Sequence, residues 1–223
     1  MNRNSTSLCF LVLILLFASS SHAVGFGIYA NINPMWGTYD PNDPTRTDLA
    51  SIDYSKINIG GGFLLDLAVG RRGLLNYRGS FGVEAVQDAL PGGVSPVPVT
   101  YNFSGFRLKL MNTIGFSLVR RAPIRVWLGP QLGFTFLNEW DAANNGMVSF
   151  GPLPGLGTGV NFNMGPVVTL GFEFDVDYQF EIATRAKRSV QESFDASYVG
   201  NGGGVNFLVT LMFRAKNDRY KRD

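Results

Sequence analysis

The chain has 223 residues, of which 45% are hydrophobic and only 16% are charged, whereas about 25% of a soluble domain is charged. Its formal net charge of +2 is too small to indicate a nucleic-acid partner. After residue 23 no apolar run reaches the roughly 18 residues of a membrane-spanning helix. These features exclude a helical membrane protein and leave a soluble domain or a β-barrel.

The first 23 residues predict a cleavable signal peptide. Arg3 supplies a positive charge, Cys9–Ala18 form an apolar core, and Ser21 and Ala23 are the small residues that precede a cleavage site. Cleavage after Ala23 removes the only cysteine and the only histidine. The mature chain, residues 24–223, then has no disulfide and no histidine or cysteine metal ligand. Its net charge is near +1, from 18 basic residues after loss of Arg3 against 17 acidic ones.

The mature sequence consists of segments in which apolar and polar residues alternate, which is the period of a strand with two different faces. In the fourth segment the phase changes at Gly105-Phe106, which predicts a β-bulge. Eight is an even number of strands, as single-chain bacterial barrels require. In chain order the segments are Val24–Asn33, Ile57–Val69, Leu75–Ala85, Val99–Leu118, Ile124–Phe136, Leu156–Phe162, Val168–Phe180 and Gly204–Arg214.

The connections between these segments alternate in length as well. Short turns on one side and long loops on the other are the layout of outer-membrane barrels, whose short side is periplasmic. The predicted turns are Gly70–Gly73, Arg120–Pro123 and Asn163–Pro166, and the predicted loops are Met35–Lys56, Gln87–Pro98, Asn138–Pro154 and Thr184–Gly203. We therefore predict one all-β domain, an eight-stranded antiparallel transmembrane up-and-down β-barrel with both termini in the periplasm and a short polar C-terminal tail.

The two faces of the predicted strands differ in bulk. One face carries Phe, Leu, Ile and Val, and the other carries mostly glycine, small polar residues and isolated charges. A soluble sandwich or a lipocalin-like barrel is the alternative, but eight rows of large apolar side chains overfill so narrow an interior, so we expect them to face lipid. The predicted aromatic girdles at the edges of the apolar band are Phe26, Trp36, Tyr77, Tyr101, Trp140, Tyr178 and Phe213.

Ten charged residues are predicted to face the lumen, five of each sign. They are Asp66, Glu84, Glu173, Asp175 and Asp177 with Arg78, Arg107, Lys109, Arg125 and Arg214. Because charges in so narrow a space must pair, the favoured interpretation is a salt-bridged core that closes the barrel. The alternative is that Glu173, Asp175 and Asp177, three acids on one row of the seventh strand, bind a cation or a solute.

The loss of the only histidine also bears on catalysis, because activation of a serine nucleophile normally uses that side chain. We therefore predict a protein that is not an enzyme and that carries no cofactor. The acidic, proline-rich first loop is a candidate surface for an extracellular partner. In the last loop, Arg185, Lys187 and Arg188 are candidates for contact with lipopolysaccharide, with a solvated loop as the alternative.

The mature chain resembles the small outer-membrane β-barrel family of OmpA/OmpX/OmpW-like and opacity-type porin-family proteins. The resemblance rests on Leu75–Ala85 (LNYRGSFGVEA), Arg125–Phe136 (RVWLGPQLGFTF) and Val205–Phe213 (VNFLVTLMF). It implies a place in the outer membrane, contact with outer-membrane lipid and lipopolysaccharide, and insertion by the barrel-assembly machinery. Members of this family typically end on an aromatic residue that the machinery reads, whereas here ten residues ending in Asp223 follow Phe213.

Two functions follow from these predictions. The first is a non-enzymatic outer-membrane barrel with a charge-paired, largely closed lumen, which supports the envelope or presents its loops for adhesion or partner contact. The second is a narrow channel for small or hydrophobic solutes, which the OmpW-like resemblance allows.

Overall fold

The protein is a closed β-barrel. The computed structural model describes residues 23–42, 51–69, 74–88, 104–121, 123–140, 145–187 and 194–214. Each strand pairs antiparallel with the next, and β8 pairs with β1, so the sheet has no free edge. The described residues include no helix long and apolar enough to cross a membrane. The strands are β1 (Ala23–Pro41), β2 (Ile52–Val69), β3 (Leu75–Asp88), β4 (Ser104–Arg121), β5 (Ile124–Trp140), β6 (Asn145–Met164), β7 (Val168–Lys187) and β8 (Phe194–Arg214).

This architecture confirms the predicted fold class. The barrel has a turn end, which carries the start of β1, the end of β8 and the β6–β7 turn, and an opposite loop end. At the turn end Gly165 has φ of +94° with open space around it, a conformation that residues with a Cβ rarely adopt. Residues 1–22 of the predicted signal peptide and Tyr101 of the predicted girdle lie outside the described residues.

Seven of the eight strands reach further toward the loop end than the sequence predicts. The extensions are longest in five of them: β1 continues to Pro41 and β7 to Lys187, and β2 begins at Ile52, β6 at Asn145 and β8 at Phe194. The predicted loop Asn138–Pro154 is therefore mostly strand. The prediction fell short because the apolar and polar alternation fades beyond the apolar band, whereas backbone pairing continues without it.

The predicted bulge at Gly105-Phe106 is wrong. Pairing with β3 and with β5 runs through both residues without a shift of register. The irregularity in β4 lies between Ser117 and Val119, near the turn end, where Leu118 and Val119 both face outward. An extra residue in one strand has this effect, because two successive side chains then point to the same side. The part of the fourth segment before Ser104 lies outside the described residues.

The two faces of the barrel wall are chemically opposite. Large apolar side chains such as Phe63, Leu132 and Phe174 stand exposed on the outside. Inside are buried polar and charged side chains together with glycines on which no Cβ would fit; at Gly62 and Gly129 it would meet a backbone oxygen at 2.0 Å. A folded chain that exposes its phenylalanines and buries its charges matches a lipid surround, in which apolar side chains are the stable outer surface.

Candidate functional site in the barrel lumen

The turn end of the lumen holds a cluster centred on Asp66, whose side chain is fully buried. Its Oδ2 atom accepts from the guanidinium nitrogens of Arg78 at 2.9 Å and Arg125 at 2.5 Å, with Arg214 at 3.5 Å. Arg78 also pairs with Glu173 across the lumen. Strands β2, β3, β5, β7 and β8 each contribute one member, so the cluster links strands from different sides of the barrel.

The second level of the lumen is organised by Arg107 of β4. Its guanidinium lies 3.3 Å from a carboxylate oxygen of Glu84 and donates to Asn33 Oδ1 at 2.8 Å and to Thr135 Oγ1 at 2.9 Å. Asn31 donates to the other oxygen of Glu84 at 2.7 Å. These contacts join β1, β3, β4 and β5 in one network, which satisfies a buried charge in the way that a narrow interior requires.

The row of three acids on β7 does not act as a unit. Glu173 pairs with Arg78, and Asp177 pairs with Lys109 at 2.7 Å. Asp175 accepts from Asn206 Nδ2 at 3.2 Å, and no lysine or arginine nitrogen of the described residues lies within 4 Å of its carboxylate. Nor do those residues contain three or more acids, histidines or cysteines placed to hold one metal ion.

At the loop end the lumen contains a third polar layer. Lys56 pairs with Glu139 at 2.5 Å. Glu181 Oε2 accepts from the hydroxyl groups of Tyr39 at 2.8 Å and Ser149 at 3.0 Å. The ammonium of Lys56 also stands 5.3 Å from the centre of the Tyr39 ring, within the range of a cation–π contact.

The sequence analysis missed all three charges of this layer. Lys56 and Glu139 fall in predicted loops, and Glu181 lies just beyond the last alternating residue of the seventh segment. Extending the two-residue period of each strand would have identified them, because Lys56 falls on the same face as Asp66, and Glu181 on the same face as Asp177. With them the described lumen holds seven acids against six bases, where the sequence predicted five of each. The acids are Asp66, Glu84, Glu139, Glu173, Asp175, Asp177 and Glu181, and the bases are Lys56, Arg78, Arg107, Lys109, Arg125 and Arg214.

All ten predicted lumen charges lie inside the barrel; the most exposed are Arg125 and Arg214, with 13% and 15% of the side chain accessible. On the outside, the predicted girdle residues Phe26, Trp36, Trp140, Tyr178 and Phe213 are exposed. Tyr77 differs, because it is half-buried and its hydroxyl donates to Asn112 Oδ1 at 2.5 Å. That hydrogen bond pairs two polar groups on a face that otherwise meets lipid.

No family model and no curated protein matches the chain. Among solved structures it is similar to the outer membrane protein OprG from Pseudomonas aeruginosa, at 9% identity and a TM-score of 0.60, over 88% of this chain and 97% of that one. It is also similar to the outer membrane protein AlkL in lipid bilayers, at 12% identity and a TM-score of 0.53, over 87% of this chain and 90% of that one. At these identities the likeness concerns the fold.

The lumen and the outer face together define what the barrel can do. Among the described residues, three layers of buried side chains joined by ion pairs and hydrogen bonds occupy the lumen at the turn end, the middle and the loop end. The apolar outer face and the eight-stranded architecture are those of proteins that sit in the bacterial outer membrane. The chain therefore has the fold of the small outer-membrane β-barrel proteins.

Proposed function

We propose that this protein is a non-enzymatic, non-conducting envelope barrel that presents its loop end to the outside for contact with a partner. The observation that carries the proposal is the filled lumen. The Asp66 cluster closes the turn end, Arg107 with Glu84 crosses the middle, and Lys56 with Glu139 closes the loop end. An ion would have to break buried, paired charges to pass, and such contacts are costly to leave unpaired.

The structure of the loop end supports the proposal that this end contacts a partner. Beyond the outward Trp36, β1 continues through Thr38 and Asp40 with polar outward side chains. These bond to β2 and to the residue before it, through Thr38 with Asp53 at 3.0 Å and Ser51 with Asp40 at 2.6 Å. A paired, polar rim beyond the apolar band is a rigid support for loops, and binding residues are often carried on such loops.

Single-channel recording in planar bilayers tests the closed lumen. We expect the purified mature protein to give no reproducible openings. A double variant, Glu84→Ser with Arg107→Ser, removes the central pair without changing net charge and should open a measurable conductance. Reproducible openings of the unmodified protein, of the size that this double variant shows, would contradict the proposal.

A narrow path for small hydrophobic solutes is the second candidate, and one feature of the wall favours it. The β6–β7 pairing is interrupted between Phe150 and Gly155 although the register is the same on both sides. Pro152 and Pro154 lie in this stretch, and their pairing with β5 is complete, so the missing N–H groups are those that would face β7. The wall is therefore weakest in hydrogen bonds at this point.

Solute uptake separates the two candidates. By continuation of the register Leu153 stands opposite Gln179, and both side chains face the lumen. Uptake of a small hydrophobic solute into vesicles that is abolished by a disulfide between Leu153→Cys and Gln179→Cys would favour the path. Uptake equal to that of protein-free vesicles would leave the closed barrel as the function.

A further inference from the structure

One polar side chain lies in the middle of the surface that faces lipid. Asn112 of β4 points outward and is half-buried, and its neighbours on the same row, Leu110 and Ile114, are 48% and 54% exposed. Three apolar outward side chains precede Asn112 and three follow it, so it stands at the centre of the apolar row. That row consists of Phe106, Leu108, Leu110, Asn112, Ile114, Phe116 and Leu118.

The hydrogen-bonding groups of the Asn112 amide are only partly used. Its Oδ1 atom accepts from the hydroxyl of Tyr77 at 2.5 Å. Its nitrogen carries two N–H groups, and the one acceptor that the described residues offer to it is the backbone oxygen of Leu132 at 3.4 Å. That distance is longer than the usual range of about 2.7–3.2 Å. Within the described part of the chain, at least one N–H group of this amide therefore has no acceptor.

An N–H group without an acceptor is strongly unfavourable at this depth, because the hydrocarbon core holds no water and lipid tails cannot accept a hydrogen bond. Thr158 of β6 is also a polar outward side chain, but its hydroxyl donates to the backbone oxygen of Trp127 at 2.8 Å. It is therefore satisfied within its own chain. The Asn112 amide would be satisfied by a protein that offers a hydrogen-bonding group at the same depth.

The wall beside Asn112 is low enough for such a protein to approach. Gly79 of β3 pairs with Asn112 on one side, and Leu132 of β5 pairs with it on the other. A Cβ on Gly79 would meet the hydroxyl and ring carbons of Tyr77 at 3.2 to 3.6 Å, so the tyrosine ring lies over the glycine. Small residues on membrane-facing surfaces let two backbones come close to each other.

We propose that two copies of this chain associate in the membrane through the outer face of β3, β4 and β5, with their Asn112 amides hydrogen-bonded to each other. A primary amide is complementary to itself, because each of the two can donate an N–H to the oxygen of the other. A two-fold axis along the membrane normal places both amides at the same depth, and two-fold contacts are the commonest in homo-oligomers. A second copy thus supplies the acceptor that lipid lacks.

Association in lipid vesicles tests the proposal. The mature chain that we predict has no cysteine, so Gln87→Cys, at an exposed position near the loop end of β3, takes a donor or an acceptor dye. We expect energy transfer between copies that exceeds the transfer of randomly mixed monomers and falls as lipid is added. Asn112→Leu should raise the protein-to-lipid ratio at half association about tenfold, because polar bonds between membrane segments are lost.

Two control variants separate the amide from a general change in polarity. Thr158→Val removes the other outward polar side chain, whose hydroxyl is bonded within the chain, and should leave association unchanged. Asn112→Gln keeps a primary amide and should retain most of the association. Asn112→Leu turns an apolar side chain toward lipid, so it should fold as the unmodified protein does, which circular dichroism of the β-sheet checks.

The contact face is tested separately with spin labels on opposite walls of the barrel. Leu110→Cys of β4 and Val209→Cys of β8 are matched positions, because both side chains are 48% exposed. The distance between copies should be shorter for the label at position 110 than for the label at position 209. A distance at position 110 that is equal or longer, or equal association of Asn112→Leu and the unmodified protein, overturns the proposal. Monomers at every protein-to-lipid ratio also overturn it and leave a different membrane protein as the source of the acceptor.

Discussion

At the scale of single residues, the barrel is stabilised by buried charges whose partners come from other strands. Asp66 shows this most clearly, since Arg78, Arg125 and Arg214 all approach the same carboxylate oxygen. Three positive charges with no acid between them would repel one another inside a low-dielectric lumen. Asp66 is therefore the residue on which the turn end of the barrel depends.

Replacing that carboxylate should be costly. We expect Asp66→Asn to lower the free energy of unfolding by about 3 kcal/mol, because it leaves buried guanidinium groups without their shared partner. Urea unfolding in detergent micelles measures the change. Asp53→Asn, which alters an exposed acid, is the control and should stay within about 0.5 kcal/mol of the unmodified protein. Equal stability of the two variants would show that the Asp66 cluster contributes nothing.

At the scale of the strand, the outward side chains form the surface that contacts lipid. Along β7 the outward side chains from Phe172 to Ile182 are all large and apolar, while the inward side chains from Glu173 to Glu181 are polar or acidic. Both rows are set by the two-residue period of the strand. Position along the strand should then decide how a charge is tolerated on the outside.

An outward arginine should have a cost that depends on depth. Val176→Arg, near the middle of the apolar row of β7, should destabilise the folded barrel by about 2–4 kcal/mol, because the charge sits in the bilayer core. Ile182→Arg, at the loop end of the same row, should cost about 1 kcal/mol or less. Equilibrium unfolding in lipid vesicles compares the two. Equal costs at both positions would contradict the membrane placement of β7.

At the scale of the whole molecule, closure of the sheet depends on β1. Its first residues pair on one side with β2, from Ala23 with Ala68, and on the other with β8, from Gly25 with Arg214. A signal peptide removed after Ala23 would leave every β8 pairing of β1 in place. The predicted cleavage point is therefore compatible with the closed barrel.

The mature protein should begin at Val24. Intact-mass measurement on protein extracted from the outer membrane is expected to give the mass of residues 24–223. Ala23→Arg should block cleavage, because the processing site requires a small residue at that position, and the uncleaved form should accumulate. Mature protein that begins elsewhere, or an Ala23→Arg variant that is processed normally, would contradict the predicted site.

The sequence by itself determined the number of strands, the faces of each strand and the ten charges that face the lumen. These follow from alternation, a local property that each strand carries in its own residues. It also identified Glu173, Asp175 and Asp177 as a row, although it did not show that each of them has a different partner. Where alternation fades, as at Lys56 and Glu139, the sequence did not predict that the strand continues, so it did not predict that these two charges face the lumen.

Only the tertiary structure decided which charges meet. Lys109 of β4 reaches Asp177 of β7, and Arg107 of β4 reaches Asn33 of β1, pairs that no spacing along the chain indicates. These contacts cross the interior, so they depend on the stagger and tilt of all eight strands at once. The same is true of Asp175, which has no lysine or arginine partner among the described residues, while Glu173 and Asp177 on the same row do.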